Sequence, residues 1–247
     1  TVARTMYATI ETINLNVGTL ANDINIINTP ANSKTTVNSQ GGADDIDVTT
    51  TGSGSILIVN AAGGADLVDI ATTGATSVTI INGGDGADTL TQVTSGASSG
   101  VALNGQGDTD TITIQNAGAT SSSLATGGAA DDGITLWNLP VSSFAQLDGD
   151  DGNDTITLGS PANVISGILG LVQVNGGNHL AAPTMTESVT AKGNTITSTL
   201  PVGDTLNIND QAYAATAQYN LTDTMFDRDT TVARTMYATI ETINLNV

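Results

Sequence analysis

The chain has 247 residues, a formal net charge of −19, no cysteine, 28 glycines, and 39% hydrophobic but only 3% aromatic residues. The lack of cysteine excludes a disulfide framework and a thiolate metal site, and fifteen aspartates without one Lys or Arg between residues 38 and 159 argue against nucleic acid as a partner. No apolar run approaches the roughly 20 residues of a membrane span, and so few aromatic side chains suit a thin stack of strands filled by Val, Ile, Leu and Ala better than an ordinary globular core.

The first seventeen residues, TVARTMYATIETINLNV, return unchanged as residues 231–247. Identity at every position is more than a shared fold demands. It predicts a tandem array of 230-residue units in which residue 247 leads into a copy of residue 18, with 1–15 and 231–247 as the joining segments. Exchange between separate subunits, with 231–247 filling a groove of the next molecule, is the alternative. Either way the expected partners are copies of the chain itself, joined end to end or bundled side by side, with no nucleic acid and no membrane span.

A shorter period starts at Asn16. Residues 38–59, 60–81, 82–103, 104–125 and 126–147 read NSQGGADDIDVTTTGSGSILIV, NAAGGADLVDIATTGATSVTII, NGGDGADTLTQVTSGASSGVAL, NGQGDTDTITIQNAGATSSSLA and TGGAADDGITLWNLPVSSFAQL, each 22 residues with no gap. The line from Asp148 opens DGDDGNDTITLG in the same register, and the line from Asn16 is a degenerate copy. Asp44, Asp66, Asp88, Asp110, Asp132 and Asp154 form one column, with Asn22 at its head. Two and four residues later come apolar columns, broken only by Gln92, which read as the inward face of a strand. Gly52, Gly74, Gly96 and Gly118 mark a second turn, followed by another apolar stretch. Two strands and two turns per line predict an all-β fold, a parallel β-solenoid over 16–174 whose strands stack about 4.8 Å apart. A less regular β continuation is expected over 175–230. Asn16, Asn38, Asn60, Asn82 and Asn104 are expected to stack as an amide ladder at one corner.

The segments ahead of the Asp column, among them SQGGAD, AAGGAD, GGDGAD and GQGDTD, resemble the GGxGxD loop of the repeats-in-toxin (RTX) family, and GGDGAD at 83–88 matches it at every defined position. In that family such loops bind calcium between the turns of a parallel β-roll, and the resemblance implies calcium here. The family's coil is two nonapeptides, whereas this one is 22 residues with an Asp loop on one side only, so a single column of ions is expected. Electrostatics points the same way. Stacked carboxylates about 5 Å apart repel by about 1 kcal/mol per pair in a water-like dielectric and about 3 at an effective value near 20. Calcium, which takes six to eight oxygens, would relieve that. The expected ligands are Asp44, Asp66, Asp88, Asp110, Asp132 and Asp154, with Asp85, Asp108, Asp131, Asp150 and Asp151 adding oxygens where glycine is missing. Plain turn chemistry, for which Asp and Gly are well suited, is the other reading.

From Gly159 the 22-residue phase is lost. Residues 203–247 and 7–26, with a D-x-L-x-I-x-D strand and the segment YATIETINLN, resemble a unit common in very large repetitive bacterial surface proteins. Arg4, Lys192, Arg228 and Arg234 lie in this part or its duplicate, either meeting the acidic flank of an adjacent unit or solvated on loops. His179 has no Cys or second His nearby, and no nucleophile–base pair or phosphate loop stands out, so no enzyme is expected. The reading is a structural unit of a long filament, extracellular or at the cell surface, rigidified by calcium after export. About ten coils would give an axial repeat near 50 Å. A stalk of a giant adhesin or surface-layer protein is one alternative. An ice-binding face on the column Thr91, Thr113, Thr135 and Thr157 is another, although Asp47 and Asp69 share that column.

Overall fold

The computed structural model describes residues 10–178, 203–229, 232 and 234–247, and the main chain of 184–191 and 194–201. Arg4 with most of the first copy of the duplicated segment, His179 and Lys192 lie outside the described residues.

The chain winds as a stack of coils, each with one strand in either of two sheets. The regular part comprises β1 Thr12–Asn16, β2 Asp23–Ile26, β3 Lys34–Asn38, β4 Asp45–Val48, β5 Ile56–Gly63, β6 Leu67–Thr72, β7 Val78–Asp85, β8 Thr89–Thr94, β9 Gly100–Gly107, β10 Thr111–Asn116, β11 Ser122–Ala129, β12 Gly133–Asn138, β13 Phe144–Asp151 and β14 Thr155–Leu158. Odd-numbered strands stack as the first sheet and even-numbered ones as the second, all parallel. Each residue pairs with its equivalent 22 positions on, as Ile46 with Val68 and Val59 with Ile81. The alternation of the sequence is the cause: Val37, Val59, Ile81 and Leu103 from one sheet meet Ile46, Val68, Leu90 and Ile112 from the other in a fully buried core. Gln92 faces inward with the rest of its column and is fully buried.

The remaining strands are β15 Leu171–Asn178, β16 Thr184–Ala191, β17 Asn194–Pro201, β18 Thr205–Asn209, β19 Tyr219–Leu221, β20 Met225–Arg228, β21 Thr235–Ala238 and β22 Thr242–Asn246. Stacking outlasts the 22-residue step. β15 continues the first sheet with Phe144 opposite Leu171, and β18 continues the second with Thr155 opposite Thr205. β21 then stacks on β15, and β22 on β18. The residues between are spent on two antiparallel hairpins, β16–β17 and β19–β20, the second lying along the edge of β21. These hairpins add length without adding rise. From β1, first in the first sheet, to β22, ninth in the second, the stack advances eight and a half coils rather than ten. At the strand spacing that is about 41 Å, shorter than length alone suggests.

The two corners of each coil are held differently. At the corner leading from the second sheet to the first, hydroxyls satisfy the main chain. The Oγ1 of Thr29, Thr51 and Thr73 accepts the N–H of Gly52, Gly74 and Gly96 one coil on, at 2.9–3.0 Å. Ser55, Ser77 and Ser99 donate to the carbonyls of Gly52, Gly74 and Gly96, at 2.7 Å each. The Gly52 column is required by close approach, because a methyl group on Gly74 would meet the Gly52 main chain of the coil below. No helix among the described residues is long and apolar enough to cross a membrane.

Candidate functional site

The corner from the first sheet to the second carries the aspartates. It opens with the amide ladder, Asn38, Asn60, Asn82 and Asn104 each donating Nδ2–H to the Oδ1 of the Asn one coil earlier, at 2.6–2.8 Å. The loop then turns through positive φ at the second and fourth positions of the GGxGxD pattern, Gly84 and Gly86 in the best-matching coil. Elsewhere non-glycine residues accept that conformation, Gln40, Ala62, Gln106 and Asp150 at the second position and Asp108 and Ala130 at the fourth. The glycine at the first position has another cause: a methyl group on Gly83, Gly105, Gly127 or Gly149 would collide with the carboxylate of that coil's own column Asp and with the carbonyl of the following coil.

Asp44, Asp66, Asp88, Asp110, Asp132 and Asp154 are buried beneath these loops, pointing into the corner. Each Oδ1 accepts the main-chain N–H of its counterpart one coil earlier, Asp66 from Asp44, Asp88 from Asp66 and so on to Asp154 from Asp132, at 2.7–2.8 Å. Asn22 heads the ladder, donating its N–H to Asp44 Oδ1 at 2.7 Å. Each Oδ2 of these six is buried with no hydrogen-bond partner. A ladder of buried carboxylates with one oxygen bonded and one bare is costly while charged. Burial accordingly pushes up the carboxyls of Asp66, Asp88, Asp110, Asp132 and Asp154, only partly offset by the N–H each accepts and aided by repulsion from its neighbours. Asp88 and Asp154 reach about 6 and Asp110 and Asp132 about 7, and Asp66 is also raised.

The structure separates the two groups of expected ligands. The six column aspartates share one environment, whereas Asp85, Asp108, Asp131, Asp150 and Asp151 are exposed on the outer loop. Asp108 Oδ2 accepts the Gly86 N–H at 3.1 Å, and Asp131 Oδ1 the Asn153 N–H at 2.9 Å. Among the described residues no three carboxylates or histidines converge as a side-chain metal cluster. What the corner does offer, in the coils of Asp88, Asp110, Asp132 and Asp154, is one bare carboxylate oxygen beside a glycine carbonyl of the next coil, such as Asp110 Oδ2 and Gly127 O around Gly105. That donor set, hard oxygen from carboxylate and main chain, fits calcium.

Two members of the column were not read from sequence. Asp204 follows Asp154, fifty positions on, its Oδ1 accepting the Asp154 N–H at 2.7 Å. Glu241, inside the duplicated segment, takes the next place, its Oε2 accepting the Asp204 N–H at 2.9 Å. The signal was present for the first: GDTLNI at 203–208 repeats the NDTITL of 153–158. The parallel β-solenoid with its stacked aspartate ladder is thus established by geometry, and no family model, curated protein or solved structure matches the chain.

Proposed function

We propose that the chain is a structural unit of a long extracellular filament whose coils are locked by calcium in an RTX-like column along the aspartate corner. The observation that carries this reading is the bare, buried Oδ2 repeated in six consecutive coils, in the last four of them beside a glycine carbonyl of the next coil. Asp44, Asp66, Asp88, Asp110, Asp132 and Asp154 would hold the ions together with glycine carbonyls, the cation supplying the positive charge that the corner lacks. The exposed aspartates of the outer loop would complete the shell from outside. Neighbouring coils would then be tied through shared oxygens, and an ion-poor cytoplasm would leave the chain loosely folded until export. The duplicated segment supports end-to-end continuation. A stalk of an adhesin or surface-layer protein would use the module in the same way. The Thr column offers less to ice, because Asp47 and Asp69 occupy the same column in the coils before Thr91.

Thermal melting followed by circular dichroism, with calcium, magnesium or chelator, tests the reading. Calcium alone should raise the midpoint steeply, since a ligand that binds only the folded state adds about 2.7 kcal/mol at a hundredfold excess over its dissociation constant. A midpoint indifferent to calcium would reduce the column to turn chemistry.

A further inference from the structure

The last eight residues of the duplicated segment, 10–17 and 240–247, are described in both copies and lie in two different places. In its second copy β21 lies in the first sheet on β15, Glu241 enters the aspartate column, and TINLN follows as β22 in the second sheet. In its first copy the same TINLN is β1, in the first sheet against β3. Glu11 therefore falls at the opposite corner, in the column of Ser33, Ser55 and Ser77, because Thr12 pairs with Lys34, Lys34 with Ile56 and Ile56 with Val78. The two copies sit half a coil apart.

The two placements use complementary halves of one strand. As β22 the segment pairs through the edge that faces the preceding coil, Thr205–Asn209, and as β1 through the edge that faces the following coil, Lys34–Asn38. Ile243 and Leu245 pack against the core in one, and Ile13 and Leu15 line an open cavity of about 310 Å³ at the end of the core in the other. The same two side chains thus face inward both times. The terminal amide is shared as well: Asn246 donates Nδ2–H to Asn209 Oδ1 at 2.8 Å, while its equivalent Asn16 accepts from Asn38 Nδ2 at 2.6 Å. One strand can make both sets of bonds at once.

We propose that successive units join half a coil out of phase through this shared strand, so that the second sheet of one unit runs on as the first sheet of the next and the aspartate column changes edge at every boundary. This rests on the filament reading and adds its symmetry. The unit repeat is about 41 Å, but the true structural period is two units, about 82 Å, with aspartate loops facing alternate sides. β20 covers part of β21, at Met225–Met236 and Phe226–Thr235, and must shift for β2 of the next unit to stack there. The half-coil phase is set by the shared strand in the other sheet and does not depend on that shift.

The test is a chain of three units, residue 247 of each followed by residue 18 of the next. The protein has no cysteine, so Ala87→Cys in every unit places a unique biotin on the exposed aspartate corner, to be marked with streptavidin for electron microscopy. A second chain carries Ala87→Cys in the outer units and Ser98→Cys, at the exposed hydroxyl corner, in the middle one. Twist of the stack adds equally to both chains, so their difference is the readout. Marks on alternating sides in the first chain and on one side in the second are expected. The converse pattern overturns the half-coil junction while leaving a filament, and particles with no continuous rod overturn both.

Discussion

Asp110 concentrates the chemistry of the corner in one side chain. Its Oδ1 holds the Asp88 N–H, its Oδ2 is bare, and burial lifts its carboxyl to about 7 against an ordinary value of 3.8. A carboxyl raised in the folded state binds its proton more tightly there than in the unfolded chain. Its contribution is therefore fully present below the ordinary value and is lost as pH rises through the raised one. With Asp88 and Asp154 at about 6 and Asp132 at about 7, the metal-free protein should lose stability between about pH 4 and about pH 7, its melting midpoint falling across that window. Asp110→Asn keeps an oxygen for the Asp88 N–H and sets an amide N–H where the bare oxygen stood. At pH 8 without calcium it should be more stable than the parent by roughly 1–3 kcal/mol, the cost of a buried unsatisfied polar atom. At pH 4 the two should differ little. A pH-independent effect of the substitution, read by urea unfolding at both pH values, would mean that the carboxylate is not strained.

At the scale of elements, the hairpin β19–β20 is fastened by a buried cluster rather than by its few ladder bonds. Arg228, expected either at the flank of a neighbouring unit or on a solvated loop, is instead buried within its own chain, paired to Asp210 at 2.5 Å, donating to Ser166 Oγ at 3.2 Å and lying 3.8 Å above the Tyr213 ring. Asp210 also accepts from Tyr219 Oη at 3.0 Å and from the Ile165 N–H at 3.2 Å, so it ties β18, the hairpin and the loop before β15 together. Arg228→Met strands the Asp210 charge and should cost about 3–5 kcal/mol in urea unfolding, most of it recovered by adding Asp210→Leu. Equal losses in the single and double variants would show that the pair itself is unimportant. None of this was legible in the sequence, because Arg228 and Asp210 belong to no periodic column. The coils from Asn16 to Leu158 were legible for the opposite reason: an unvarying step of 22 puts every inward residue, glycine and aspartate in register. A step can be counted only while it is constant. Parallel pairing, however, fixes strands to strands and not loop lengths, so β15, β18, β21 and β22 rejoin the stack after insertions at which counting fails. The aspartate column was read as far as Asp154 and missed at Asp204 and Glu241 on that account. The bare Oδ2 atoms are a fact of burial, which spacing does not report.

For the whole molecule, a stack in which each coil touches only its neighbours should tolerate the loss of one complete coil better than the loss of one residue. Removing 82–103 joins Ile81 to Asn104 and brings together residues that already share columns: Val68 would face Ile112, and Ile70 would face Ile114. The aspartate ladder closes over the gap, with Asp66 meeting Asp110, and the buried Gln92 and its unpaired Oε1 leave with the coil. Removing Leu103 alone deletes far less surface but takes a fully buried side chain from β9 and slips that strand by one position, and a slip of one turns inward residues outward. A vacated Leu site by itself costs about 2–5 kcal/mol. The shortened chain should keep its β-sheet signal per residue and melt close to the parent, while the single deletion should melt well below it. If the order of the two midpoints were reversed, the 22-residue coil would not be the unit of stability, and a filament built by adding coils would lose its physical basis.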